Sequence, residues 1–228
     1  MATYTLSVPQ KNPNLVSPTN WYSSREGLSK QMKDVWAKYG TFFKQYGESS
    51  RIPPAVLLAF TMIESNGNPK AGAANNSATT GLMQWNRQFV AGTGNPDFTL
   101  TKEFNQGRLS EFEKEKLKSF GITFDAKGNT RKLTMQDQMN AELNILIGSI
   151  ILGQYMDKPW GTTNGAIRMD RIIGLYNWGL KGFNNAGIAN KDIPQVIASV
   201  PATTKTYIQK MLGKNGSLDI AVNDLKIS

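Results

Sequence analysis

The chain has no cysteine and no histidine among its 228 residues. These absences exclude thiol and Ser-His-Asp nucleophile systems, disulfides, and zinc sites built on thiolate or imidazole. Bond-breaking chemistry is left to carboxylates, lysines, hydroxyls, or metals held by oxygen alone. Long apolar runs are missing too. The longest, near Leu143 to Leu152, is too short to cross a bilayer, so no membrane span is expected. The opening MATYTLSVPQKNPNL has neither the charged region nor the continuous apolar region of a secretory signal. A protein with such a start needs another route to any exterior compartment. Dense basic runs, P-loops and zinc fingers are also absent, which argues against nucleic acid as a partner. The net charge of +9 nevertheless points to something anionic, whether nucleic acid, a membrane surface or an acidic polymer such as a bacterial cell wall.

With 39% hydrophobic residues the chain can bury a sizeable core. Residues 1–21, rich in Pro, Asn, Ser and Thr, read as an extended arm suited to docking. Residues 22–47 read as an amphipathic helix. Ser23 and Glu26 offer a capping box, and Leu28, Met32, Val35, Trp36, Tyr39 and Phe43 follow at helical spacing. Pro53 and Pro54 open a second helix that is apolar all round, as expected of a central buried element. The stretch ITFDAKGNTRKLT predicts a small hairpin around a Gly-Asn turn. Thr134 and Asp137 predict the start of one long core helix through Leu143, Leu146, Ile147, Ile150 and Ile151. Further helices are expected around 166–178, 192–200 and 203–212, and a short polar tail over 214–228.

One residue stands apart in this pattern. From Ala55 to Ile63 only Thr61 is polar, yet the run closes on Glu64 before Ser65, Asn66 and Gly67, residues that end helices. Desolvation and the negative end of the helix dipole both disfavour an ionised Glu64 and raise its pKa. A neutral carboxyl near pH 7 can protonate the leaving oxygen of a glycosidic bond. The alternative is a helix-terminal glutamate that turns to solvent.

Glu64-Ser65, Asn68-Pro69 and the GLMQ of Gly81 to Gln84 together resemble the catalytic block of soluble lytic transglycosylases, lysozyme-like enzymes that cut bacterial peptidoglycan. Three later blocks extend the resemblance in order. NILIGSIIL matches an N-I-x-x-G helix at Asn144, Ile145 and Gly148. LYNWGLKG matches A-Y-N-A-G at Tyr176, Asn177 and Gly179. TKTYIQKML matches the closing segment through Tyr207 and Lys210. The resemblance covers about residues 48–213, the expected catalytic domain, and implies a mainly α, lysozyme-like fold around a central buried helix with a small β-hairpin.

The resemblance implies that Glu64 is the sole catalytic acid and base, cleaving the MurNAc-GlcNAc bond and closing a 1,6-anhydro ring without water. It implies that Gln84 and Tyr176 line the site, with Tyr176 hydrogen-bonding near the catalytic carboxyl. Ser65, Ser77, Met83, Trp85, Asn177 and Tyr207 are the other substrate-binding candidates. Met83 and Trp85 read first as core packing, Asn177 also as a turn cap and Tyr207 also as a structural helix residue. No metal or organic cofactor is expected. A hydrolytic muramidase on the same fold needs a second carboxylate about 6.5 to 9.5 Å away for inversion, for which Asp97 and Glu103 are the candidates. A murein endopeptidase and a noncatalytic virion or cell-wall binding protein are the remaining alternatives. The expected partners are peptidoglycan and, through the arm, other virion proteins. The expected setting is a phage particle or the host cytoplasm before release, with action in the periplasm or cell wall.

Overall fold

From Ala55 to Met62 every side chain is buried, and this stretch forms the middle of the helix around which the rest is assembled. The computed structural model describes residues 22, 24–90, 99–164 and 166–227. The arm expected over 1–21 lies outside them. The fold is mostly helical, with one two-stranded antiparallel sheet. In chain order the helices are α1 (Arg25–Ser50), α2 (Pro54–Ser65), α3 (Arg87–Val90), α4 (Leu100–Asn105), α5 (Glu111–Ser119), α6 (Met135–Met139), α7 (Ala141–Met156), α8 (Met169–Asn185), α9 (Ile193–Ser199), α10 (Ala202–Leu212) and α11 (Ser217–Asp219). Strands β1 (Thr162–Thr163) and β2 (Ala166–Ile167) lie between α7 and α8.

Helix α1 starts one residue later than expected. Ser24 is the N-cap and its hydroxyl accepts from the Gly27 amide at 3.0 Å, so Glu26 sits in the first turn rather than completing a capping box; Ser23 lies outside the described residues. The helix also runs to Ser50, past the expected end near Gly47. Helix α2 begins at Pro54, where a missing amide hydrogen has no consequence, and ends at Asn66 in the left-handed conformation. It packs against α1, α7, α10 and the C-terminal turns. No helix among the described residues is long and apolar enough to cross a membrane.

Two expected elements differ. The hairpin predicted over 122–134 is a loop without strands, and the sheet is instead β1 with β2. The reason is local: the Asp125 carboxylate accepts from the amides of Lys127 and Asn129, and Arg131 binds the carbonyls of Phe120 and Gly121. Side chains thus satisfy backbone groups that a ladder would otherwise use. The long helix predicted from Thr134 breaks in two. Thr134 and Asp137 do form a capping box, but it opens only α6, and extended Asn140 then caps α7 by accepting from the Leu143 amide at 3.1 Å.

The expected polar tail is also corrected. Leu218, Ile220, Ala221 and Ile227 are buried, and the turns that carry them pack on α2 and α1. Arg25 at the start of α1 reaches Asp219 at 2.7 Å and Asp224 at 2.5 Å, tying α1 to the C-terminal turns. Replacing Leu218 by Ala should lower unfolding free energy by about 2 to 4 kcal/mol, as for other buried leucines. A denaturant titration reads this as a lower midpoint at unchanged slope; an unmoved midpoint would mean an attached tail rather than a core element.

Candidate active site

Glu64 is the penultimate residue of α2, at the point where the buried helix reaches the surface. Its side chain keeps part of its surface accessible. Its remaining surroundings are protein, and burial pushes its pKa from the ordinary 4.5 up to about 7. The opposing influence is smaller: the Tyr207 hydroxyl donates to Oε1 at 2.6 Å and lowers the value. Tyr207 comes from α10 and is itself buried, with a hydroxyl pKa raised by burial and by the adjacent Glu64 charge. The resulting group is a carboxyl poised between proton donor and acceptor near neutral pH.

Tyr176, like Tyr207, lies against Phe60, one turn before Glu64 on α2. The Phe60 ring centroid is 5.0 Å from that of Tyr176 and 6.1 Å from that of Tyr207. The Glu64 charge raises the Tyr176 pKa, after burial, so the two side chains are neighbours. The hydrogen bond that Tyr176 makes beside the carboxyl is not to the carboxyl itself. The Tyr176 hydroxyl donates to the Met83 carbonyl at 2.5 Å, and Tyr207 is the partner of Glu64.

That bond to Met83 ties Tyr176 to the GLMQ turn, whose shape depends on Asn144 of α7. The fully buried Asn144 amide donates to the carbonyls of Thr80 at 3.2 Å and Gln138 at 2.8 Å, while its Oδ1 accepts from the Met83 amide at 2.8 Å. All its hydrogen-bonding capacity on that side is used to hold the turn. Gly81 makes the approach feasible: it sits at φ 92°, and a Cβ there meets the Gln138 carbonyl oxygen at 2.1 Å. Gly148 lets Met83 lie directly on α7, since a Cβ meets its sulfur at 2.2 Å. Gln84 follows at φ 50°, its Nε2 donating to the carbonyls of Ala71 and Gly81.

The remaining candidates separate clearly. Met83 is fully buried and contributes backbone, not side chain. Trp85 is 3% exposed, and its indole donates to the Asn144 carbonyl at 3.0 Å, so it serves mainly as packing while still bordering a cavity. Ser65 is buried and donates to the Thr61 carbonyl one turn back, which makes it a helix residue and not a substrate contact. Ser77 belongs to a turn, where it accepts from the Thr79 amide at 3.1 Å. Asn177 is exposed and accepts from the Thr204 hydroxyl at 2.7 Å, linking α8 to α10. Glu103 is not placed as a second carboxylate: it is 2% exposed and both its oxygens are held by Arg108 at 2.7 and 2.6 Å. Asp97 lies outside the described residues.

Asn144, a motif match to which no role was given, and Gln138, which lies outside the motifs, hold the turn in place. Their signal was there: amides adjoining or inside an otherwise apolar helical pattern need partners when buried. A cavity of about 300 Å³ opens between the GLMQ turn and α8, bordered by Gln84, Tyr155, Tyr176 and Trp178. Glu64 adjoins it through Tyr176 and does not line it. Among the described residues, no group of three or more acidic side chains is arranged to hold a metal ion. No protein-family model matches the chain, and no curated protein matches it either.

The raised Glu64 pKa has a measurable stability consequence. The folded protein binds this proton more tightly than the unfolded chain, so its stabilising effect is complete below pH 4.5 and is lost as pH rises through about 7. The accumulated loss is roughly 3 kcal/mol at most. Glu64→Gln keeps the shape without the charge. It should therefore be more stable than the parent above pH 7 by up to about 3 kcal/mol and indistinguishable from it below pH 4.5. Parallel thermal melts against pH test this, and a constant offset between the two proteins would contradict it.

Proposed function

We propose that the chain is a peptidoglycan-cleaving enzyme in which Glu64, acting alone, breaks the MurNAc-GlcNAc glycosidic bond by lytic transglycosylation. The observation that carries this reading is the Glu64 carboxyl itself, desolvated to a pKa of about 7, held on Oε1 by Tyr207 and still reachable from solvent. The resemblance of four ordered sequence blocks to soluble lytic transglycosylases adds to it, because the blocks meet in space: Tyr176 bonds the GLMQ turn, Asn144 holds that turn, and Tyr207 bonds Glu64.

In the proposed reaction Oε2 carries the proton, since Tyr207 occupies Oε1. Transfer of that proton to the bridging oxygen lets the bond to C1 of muramic acid break as oxocarbenium character develops. The resulting carboxylate takes the proton from the muramic acid 6-hydroxyl, and O6 closes on C1. One C–O bond breaks, one forms, and Glu64 ends protonated. Water is not consumed, so no second carboxylate is required. Glu103, whose carboxylate is bound by Arg108, does not offer one. The net charge of +9 favours approach to anionic wall polymer. A phage-encoded enzyme, carried in the virion or released at lysis, is the setting we propose.

Mass spectrometry of fragments released from purified peptidoglycan tests the reading. The expected products end in 1,6-anhydromuramic acid and disappear with Glu64→Gln, whose folding is checked by its melting curve. Reducing sugar ends would replace the reading with hydrolysis, cut peptide stems with endopeptidase action, and intact glycan with a binding role.

A further inference from the structure

The first half of α1 lies outside the stretch that resembles the transglycosylases, yet it grips the end of the helix that carries Glu64. Asn66, two residues after Glu64, is exposed to solvent, but its polar groups are engaged. Its backbone amide donates to the Met62 carbonyl at 3.0 Å and closes the last turn of α2. Its carbonyl accepts from Gln31 Nε2 at 2.9 Å. That bond fixes the orientation of the Gln31 amide and turns Oε1 toward Tyr22. The Tyr22 hydroxyl lies between Gln31 Oε1 and Asn66 Oδ1 and shares its one hydrogen between them. Gly67 adds a steric contact. It sits at φ 76°, and a Cβ there meets Cγ2 of buried Val35 at 2.2 Å, so its backbone lies directly on α1. Arg25 ties the same end of α1 to the C-terminal turns, which themselves pack on α2.

The cleavage step gives Tyr22 and Gln31 no role, but their partner decides where α2 ends. Helix ends fray when nothing holds their terminal residues. A helical side chain leans back over the preceding turn, so Glu64 meets Tyr207 only while the last turn keeps its path. Release of Asn66 would free Ile63 and Glu64 to turn outward. The carboxyl would then lose its alignment with Tyr207 and gain water, which favours its charged form.

We infer that Tyr22, acting with Gln31 through Asn66, is a positioning residue for Glu64: it holds the last turn of α2 so that the carboxyl stays against Tyr207. The inference rests on the reading of Glu64 as acid and base, and adds a residue outside the family-like stretch that governs it. Two variants of the full chain test it. Tyr22→Phe removes the hydroxyl and keeps the ring, while Asn66→Gly keeps the left-handed cap and removes the side-chain amide. Carbon NMR follows the Glu64 carboxyl, and initial rates of fragment release from peptidoglycan are measured across pH. In each variant the Glu64 midpoint should fall from about 7 by about one pH unit. Turnover at neutral pH should drop about tenfold at an unchanged half-saturating substrate concentration, and the pH profile should move down with the midpoint. The double variant should match either single one, because both remove the same bond. A lower melting temperature with midpoint, profile and turnover unmoved would mean a merely structural brace and overturn the inference. A midpoint that falls in both variants of a protein that releases no anhydro fragments would refute the cleavage and uphold the control of Glu64 by Tyr22. A cleaving parent whose variants keep its midpoint and rate would do the reverse.

Discussion

The candidate site depends on keeping one carboxyl out of water. Glu64 stands where a helix buried through Met62 first reaches the surface, and that position sets the balance of its two protonation states. Deeper in α2 the group would be inaccessible to a substrate; two residues later, at exposed Asn66, burial would no longer raise its pKa. Tyr207 moderates the effect, because a hydroxyl donated to the carboxylate favours the charged form. The opposed influences leave a group able to give a proton and take one back at the same pH, which single-residue acid and base chemistry requires.

The other half of the site is a turn shaped by amides. Asn144 binds the backbone on both sides of Leu82, and Gln138 reaches the carbonyls of Ala78 and Trp85 at 3.0 and 2.6 Å. Buried amides are costly when unpaired, so this arrangement has one geometry with low energy and few neighbours near it. It carries Gln84 into a left-handed conformation and presents the Met83 carbonyl to Tyr176. Rigid positioning of this kind suits a site in which one side chain does the chemistry and the others hold the substrate.

Much of this was legible in the sequence, for reasons that differ by residue. The apolar spacing of Leu28, Met32, Val35 and Phe43 identified a helix face because burial follows periodicity. Glu64 was conspicuous because a charge closing an apolar run demands an account. What stayed hidden was set by side chains reaching across the chain. Asp125 and Arg131 satisfy the backbone of a segment that reads as a hairpin. Asn140 interrupts a helix that periodicity alone continues, and the two-residue strands β1 and β2 are too short to leave a pattern. Spacing did not tell which tyrosine bonds the carboxyl itself, since which hydroxyl meets Glu64 is decided by how α8 and α10 pack.

Acid and base chemistry by Glu64 alone requires a carboxyl balanced near neutrality within the folded protein. Carbon NMR of the glutamate-labelled enzyme, with the Glu64 carboxyl assigned by its loss in Glu64→Gln, measures this directly. The expected titration midpoint lies near 7. A midpoint at the ordinary 4.5 would describe a solvated glutamate at a helix end, unable to act as both acid and base near neutrality.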